Sequence, residues 1–240
     1  MEKHDAVFII GTQSYMNKNF EIKVAINALK RYCGSWLGKI YVIGAKPPAE
    51  VLNEVVWVHA EDYYKPKTHI KDANIIHKLK IACGIDGLSE DFLFCSDDQF
   101  VVKESSWEDF RPRYVKPYKG NEAWFSVEAT KGSWKRNMVG TLKRFGDKGK
   151  YFEPHIWSPI NKTKFLNMCK DIDYLHDNNI IIFTLYYNYI GEEGVPLFDK
   201  YHCSGSRYNW GDERHIGYCD TSLRHKGFID KLCRLFDVEY

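Results

Sequence analysis

The 240-residue sequence lacks paired cysteines and any strong excess of one charge. Its seven cysteines are an odd number, and no two of them stand in a C-x-x-C spacing. A disulfide framework or a zinc ribbon would need such pairs, so we expect free thiols and a reducing, cytoplasmic compartment. The 34 basic and 32 acidic residues leave a formal net charge of +2. That bias is too small to require a polyanionic partner or an anionic membrane, so nucleic acid stays possible but is not indicated by the net charge.

Long apolar runs are also missing. No stretch approaches the roughly 20 apolar residues of a membrane span, and the N-terminal MEKHDAVFII has no signal-peptide core, so we expect no membrane span. What is present is the composition of a globular protein, with 44% hydrophobic and 28% charged residues. Aromatic residues reach 15%, which fits a large core or a surface that stacks on rings and sugars. The length allows one large domain or two small ones.

Strands and helices alternate through the first hundred residues. We predict strands at 6–10, 39–44, 55–60 and 91–102, and helices at 22–33 and 72–83, the second capped by Asp72. Short strand–helix–strand connections predict a mostly parallel sheet flanked by helices, an α/β fold. Ligands of such sheets bind outside the carboxyl ends of the strands. Here those ends are Gly11-Thr12, Gly44-Ala45, His59-Ala60 and Asp97-Asp98.

The second half of the sequence is less regular. We predict a long loop at 103–122, a strand at 123–127 and a helix after Asn161. Residues 179–190 favour a buried helix, with a strand as the alternative, and a terminal amphipathic helix runs through Phe236.

The clearest chemical signal is Asp97-Asp98, which directly follows an apolar strand. Two adjacent carboxylates repel each other, and burial raises their pKa values, so a cation at this position would stabilise them. Mg²⁺ and Mn²⁺ prefer carboxylate oxygens. Because side chains alternate along a strand, both carboxylates can face one ion only if the chain bends there. The alternative is a solvated turn between two short strands.

The chain here resembles glycosyltransferases of the GT-A fold, in which a Rossmann-like half ends in an acidic metal motif. Ser96-Asp97-Asp98 is similar to the motif of the Stealth family of capsule enzymes and phosphotransferases. Residues 19–43 and 88–92, and Tyr151 to His155 with Ser158-Pro159, also resemble that family. Its opening tryptophan–valine–aspartate signature is absent, and Ile10-Gly11-Thr12 stands in its place. The resemblance therefore favours glycosyl transfer over sugar-phosphate transfer.

A second resemblance lies near the C-terminus. His202, Gly205 and Trp210 match the H-x-x-G-x-x-K-P-W element of glycogenin-type transferases. The resemblance implies that His202 completes the metal site and that Gly205, with Arg207 as the cation, holds the diphosphate. Alternatively, His202 packs in an aromatic loop.

The remaining candidates are contacts to the donor and the acceptor. Asn74 and Lys78 are four residues apart on one helix, so they share a face. Lys78 could neutralise a diphosphate, or it could be a solvated surface lysine. Gly11 and Thr12 would contact the nucleotide. Glu153, His155 and Asp177 are candidate acceptor contacts or bases, and Asp177 could instead cap a helix.

Basic and aromatic residues alternate at 111–119 and 131–150. These stretches could follow a phosphate backbone, cradle an acceptor sugar or form solvated loops.

Taken together, the residues and the resemblance predict one GT-A-like domain over residues 1–240. Residues 1–102 would bind the nucleotide sugar, foremost a UDP-sugar, and residues 103–240 the acceptor. Mn²⁺ or Mg²⁺ would be the cofactor, and the acceptor a glycan, a protein or modified DNA. Two alternatives stay open, a Stealth-like sugar-phosphate transferase and a non-catalytic module that binds nucleic acid or carbohydrate.

Overall fold

The computed structural model describes most of the chain, namely residues 2–11, 20–63, 71–126, 133–152, 157–176, 179–197, 217–218 and 226–239. Its centre is a five-stranded sheet with the strand order β3-β2-β1-β4-β9. The strands are β1 (His4–Ile10), β2 (Leu37–Gly44), β3 (Val56–His59), β4 (Asp91–Cys95) and β9 (Ser158–Asn161). The first four are parallel, and β9 pairs with β4 in the antiparallel sense. The predicted mostly parallel sheet is thus confirmed.

The central strands β1 and β4 are buried on both faces, as their continuous apolar runs predict. In β1, Ala6, Phe8 and Ile10 join one core cluster while Val7 joins the other. In β4, Leu93 and Cys95 face the first cluster, and Phe92 and Phe94 face the second. Successive side chains along each strand therefore fill opposite cores.

Helices cover the two faces of the sheet. Helix α1 (Phe20–Cys33) contributes most of its buried residues to the first core, where it contacts α7 (Lys226–Phe236). Helix α3 (Lys71–Cys83), α5 (Lys162–Asp171) and α6 (Ile182–Tyr189) contact one another over the second core. A short α2 (Ala49–Leu52) lies between β2 and β3. The helices expected at 22–33, 72–83, after Asn161, at 179–190 and at the C-terminus are confirmed, although α6 begins only at Ile182.

Two polar side chains, Asn161 and Asp72, accept hydrogen bonds from backbone amides in the first turns of α5 and α6. The Asn161 side chain accepts a hydrogen bond of 3.0 Å from Lys164 N and so caps α5. Asp72 does not cap its own helix as predicted, because it lies inside the first turn of α3. Its Oδ1 instead accepts a hydrogen bond of 3.0 Å from Ile182 N, the first residue of α6. Asp72 therefore joins the two helices.

The second half adds short elements around the main sheet. These are β5 (Phe100–Val101), β6 (Arg113–Tyr114), β7 (Lys116–Pro117), α4 (Ser133–Lys143), β8 (Lys150–Tyr151), β10 (Val195–Pro196), β11 (Gly217–Tyr218), and 3₁₀ turns at Trp107–Phe110 and Gly146–Lys148. The strand predicted at 123–127 is wrong over its described residues. Trp124 N and Phe125 N both bond back to Asn121 O, which closes a turn that buries Phe125.

Five cysteines of the described residues are free thiols, and four of them are buried. The prediction of unpaired cysteines is confirmed for these five. Within the ranges that the structure covers, no helix is long and apolar enough to cross a bilayer.

Candidate active site

Asp97 and Asp98 follow β4, the strand at which the strand order of the sheet changes direction. The chain runs outward from β1 to β2 and β3 and then returns to place β4 on the other side of β1. The carboxyl ends of β1 and β4 are therefore neighbours, and a crevice forms there in open α/β sheets. Gly11 follows β1, and Ser96 to Gln99 follow β4. The site predicted from strand ends thus lies at the topological switch point.

Residues 96–99 form a turn. This is the bend that Asp97 and Asp98 would need in order to face the same ion. Gln99 N donates to Ser96 O at 3.4 Å, so Asp97 and Asp98 occupy the two central positions of the turn. Trp157 holds the turn from the adjoining strand, because its indole Nε1 donates to Ser96 O at 3.1 Å. The Trp157 ring itself is buried against Phe8 and Phe110. The core thereby fixes the position of the acidic turn.

Asp97 lies in surroundings that disfavour its negative charge. Burial, and next the charge of Asp98, raise the pKa of Asp97 to about 7. Glu21, buried at the start of α1, adds to the increase, and Lys71 at the start of α3 opposes it. Charges at the starts of both helices therefore act on the acidic turn.

The donor set of this turn fits a divalent cation. Two adjacent carboxylates are the hard oxygen ligands that Mg²⁺ and Mn²⁺ take, and a cation would offset the cost that burial and repulsion impose on Asp97. Across the described ranges, no cluster of three or more His, Cys, Asp or Glu residues forms a metal site. Asp97 and Asp98 stay the candidate ligands of this turn.

Lys78 and Asn74 both bond to the carboxylate of Asp62. The Lys78 side chain is 1% exposed, and its Nζ bonds to Asp62 Oδ1 and to Ile10 O, the latter at 2.8 Å. Asn74 Nδ2 donates to the same Asp62 oxygen at 3.0 Å, and Asn74 Oδ1 accepts from Tyr63 N at 3.1 Å. The two side chains do share a helix face, but Lys78 is not a solvated lysine. Contact of either with a nucleotide stays a prediction.

Gly44 ends β2 in a place that only glycine fits. Its φ is +125°, and a Cβ there would lie 2.0 Å from Ile10 O and 3.0 Å from Lys78 Nζ. The missing side chain lets the ends of β1 and β2 approach the buried ammonium group.

Seven predicted site residues lie outside the described residues, namely Thr12, Glu153, His155, Asp177, His202, Gly205 and Arg207. The described residues on both sides of 153–156 are Phe152 and Trp157. Phe152 is buried in the second core, and Trp157 holds the acidic turn.

Sequence reasoning missed three residues of the site. Glu21 resembles any acidic residue in a first helical turn, and Asp62 resembles any loop carboxylate, so neither gives a local signal. Trp157 lies 61 residues from the carbonyl it binds. Only the pairing of β9 with β4 brings it there.

Comparisons with solved structures agree with the α/β fold described above. No family model and no curated protein matches the chain. Among solved structures, the galactosyltransferase LgtC in complex with donor and acceptor sugar analogs is similar over 97% of this chain and 95% of its own, with a TM-score of 0.55 and 11% identity. An active-site mutant of LgtC gives a TM-score of 0.52 and 13% identity over 96% of this chain and 94% of its own. The chain therefore has the α/β fold of the LgtC galactosyltransferase, and the predicted GT-A fold is confirmed.

Proposed function

We propose that the chain is a metal-dependent glycosyltransferase that moves a sugar from a nucleotide-diphospho-sugar, foremost a UDP-sugar, to an acceptor. One observation carries the proposal: a pair of adjacent carboxylates, Asp97 and Asp98, stands at the switch point of a fold that LgtC shares over nearly its full length. LgtC is a galactosyltransferase crystallised with donor and acceptor sugar analogs. A fold is compatible with many chemistries, so the acidic turn supports the reaction and the likeness alone does not.

Asp97 and Asp98 would hold Mn²⁺ or Mg²⁺. The ion would supply positive charge to the diphosphate leaving group. Trp157 keeps the turn in place through Ser96 O, so the two carboxylates are presented by a fixed segment. Gly11 and Thr12 at the end of β1 would contact the nucleotide, as would Asn74 and Lys78. His202 would complete the metal site, and Gly205 with Arg207 would hold the diphosphate.

The acceptor side would be formed by the second half of the chain. Glu153, His155 and Asp177 would contact the acceptor or take its proton if the reaction inverts the anomeric configuration. Residues 1–102 would then form the donor half and residues 103–240 the acceptor half of one domain. The free thiols agree with the proposed cytoplasmic location.

A panel of nucleotide sugars tests the proposal. The protein is incubated with Mn²⁺ and each donor, and released nucleoside diphosphate and monophosphate are measured separately. We expect diphosphate with at least one donor, from transfer or from slow donor hydrolysis. Monophosphate release would support the Stealth-like sugar-phosphate transferase instead. No turnover, together with no thermal shift by any donor, would favour a non-catalytic binding module.

A further inference from the structure

The two basic and aromatic stretches of the second half form one unit. Strand β7 pairs with β8, with Lys116 opposite Tyr151 and Pro117 opposite Lys150. Two further backbone bonds of 2.7 Å, from Val115 N to Tyr151 O and from Tyr118 N to Gly149 O, extend the contact. We call this unit the basic lobe and define it as residues 111–126 and 133–151.

The basic lobe has a strong local excess of positive charge. It contains ten Lys and Arg residues and two acidic residues, a formal charge of +8. The rest of the chain then has 24 basic and 30 acidic residues, a formal charge of −6, which together give the overall +2. The small net charge therefore conceals a separation of charge between the lobe and the remainder. Six of the lobe's cationic residues are exposed: Arg111, Lys119, Arg136, Lys143, Arg144 and Lys148.

Two exposed indole rings belong to the same lobe. Trp124 is 40% exposed and Trp134 is 39% exposed. Both contact the ring of Tyr151, at centroid distances of 6.2 Å and 5.8 Å. Lys116 Nζ lies 5.7 Å from the centre of the Trp124 ring. Because both indoles contact Tyr151, they form one aromatic patch with it, and such patches mark interaction sites more often than single exposed rings do.

A small core supports this surface from beneath. Phe125, Met138, Val139, Leu142, Tyr151 and Ile181 form a third cluster of buried residues. Thr141 Oγ1 accepts a hydrogen bond of 3.0 Å from Ile181 N, which ties α4 to the segment before α6. The exposed rings and cations are thus attached to a packed platform.

We propose that the basic lobe binds single-stranded nucleic acid. Proteins that bind single strands combine cations along the phosphate backbone with aromatic rings that stack on bases, and the lobe presents both. A neutral sugar would use the indole rings but would have no use for a charge of +8. In the transferase proposed above, nucleic acid would then be the acceptor class, and this last step rests on the proposed function.

The binding is tested without donor or metal, so its failure is distinct from a failure of the proposed transferase. An oligothymidylate of about twelve nucleotides is titrated into the protein while tryptophan fluorescence is followed at several salt concentrations. We expect quenching and an affinity that falls steeply with salt, by about 0.7 in logarithmic slope for each phosphate contact. The same titration with a heparin oligosaccharide and with neutral dextran serves as the comparison.

Two variants separate charge from stacking. Lys143→Gln with Lys148→Gln should lower the logarithmic salt slope by about 1.4. The matched control is Lys164→Gln with Lys170→Gln, two exposed lysines of α5, and it should leave the slope unchanged. Trp124→Ala should weaken oligothymidylate binding about tenfold and reduce the quenching, while Trp124→Phe should lose less because a ring remains. Circular dichroism confirms that each variant is folded.

Three results would overturn the proposal. The first is absence of oligothymidylate binding at low salt by the folded wild-type protein. The second is tighter binding of heparin or dextran than of oligothymidylate, which would assign the surface to a glycan. The third is an equal loss of affinity in the lobe variant and in the α5 control, which would show that the overall charge, not the lobe, attracts the strand.

Discussion

Asp97 is held in surroundings that favour its protonated form. Its pKa is raised from 3.8 to about 7, chiefly by burial and then by the charge of Asp98. Between these two values the folded protein holds a proton that the unfolded chain has lost. The free energy of unfolding must therefore fall as pH rises through this window, and the full cost is reached above pH 7.

This argument predicts how Asp97→Asn behaves without metal. The variant cannot ionise, so it should be more stable than the wild type by about 1 kcal/mol or more at pH 8. The difference should shrink towards pH 4, where the folded carboxyl is protonated and the unfolded one, with its pKa of 3.8, is partly protonated as well. Chemical denaturation of both proteins at pH 4, 6 and 8, in the presence of a chelator, measures it.

Excess Mn²⁺ provides the control for the Asp97→Asn comparison. The ion should remove the advantage of the variant at pH 8, because it stabilises the ionised wild-type pair. A stability difference that stays constant over the whole pH range would contradict the raised pKa.

Residues of the candidate site differ in whether the sequence alone identifies them. Asp97 and Asp98 could be predicted, because two charges directly after a buried strand are rarely placed there without a use. Asp62 and Glu21 could not, since each acquires its role only from side chains on other elements. The raised pKa of Asp97 is likewise a consequence of burial, which the sequence does not contain.

At the scale of elements, one buried ion pair joins the ends of two strands to a helix. Lys78 of α3 reaches Ile10 O at the end of β1 and Asp62 just after β3. The two partners differ in exposure, at 1% for the Lys78 side chain and 23% for that of Asp62. Removing the carboxylate would leave a fully buried ammonium group, whereas removing the lysine would leave a carboxylate that water can reach.

The ion pair predicts an asymmetric response to mutation. Asp62→Ala should cost about 3 kcal/mol or more, and Lys78→Met clearly less. The double variant should be more stable than Asp62→Ala alone, because it no longer buries an uncompensated charge. Urea denaturation of the three proteins measures these differences.

The exposed pair of Lys30 and Glu54 is the matched control, with side-chain exposures of 46% and 39%. Glu54→Ala should cost less than about 1 kcal/mol. Equal costs for Asp62→Ala and Lys78→Met, or a double variant less stable than both, would contradict this account of the pair.

Elements with a regular apolar pattern could be predicted, and the irregular ones could not. The strands β1 to β4 are visible as apolar runs, and α1, α3, α5 and α7 as periodic faces. The turn at 122–125 resembled a strand because Trp124 and Phe125 are both aromatic, although only Phe125 is buried. Asp72 was assigned to its own helix because a sequence cannot show that Ile182 N lies beside it.

At the scale of the whole molecule, the position of the site follows from the strand order. The alternation of strands and helices predicts a parallel sheet and hence a site at the carboxyl ends of its strands. The switch between β1 and β4 then selects Gly11 and the acidic turn as neighbours. What the sequence could not reveal is the union of residues 111–126 and 133–151 into one basic lobe, because that depends on the pairing of β7 with β8.

The most direct measurement of the central claim is the metal dependence of donor turnover in Asp98→Asn. The claim is that the acidic turn at the switch point is the working centre of a metal-dependent transferase. The matched control is Asp86→Asn, an exposed carboxylate in the loop before β4.

Nucleoside diphosphate release is followed against Mn²⁺ concentration for wild type, variant and control, with thermal unfolding recorded in chelator. The account predicts that Asp98→Asn loses turnover by about two orders of magnitude or more, at a thermal midpoint equal to or above that of the wild type. The Asp86→Asn curve should overlay the wild type. An Asp98→Asn curve that also overlays the wild type would contradict the claim.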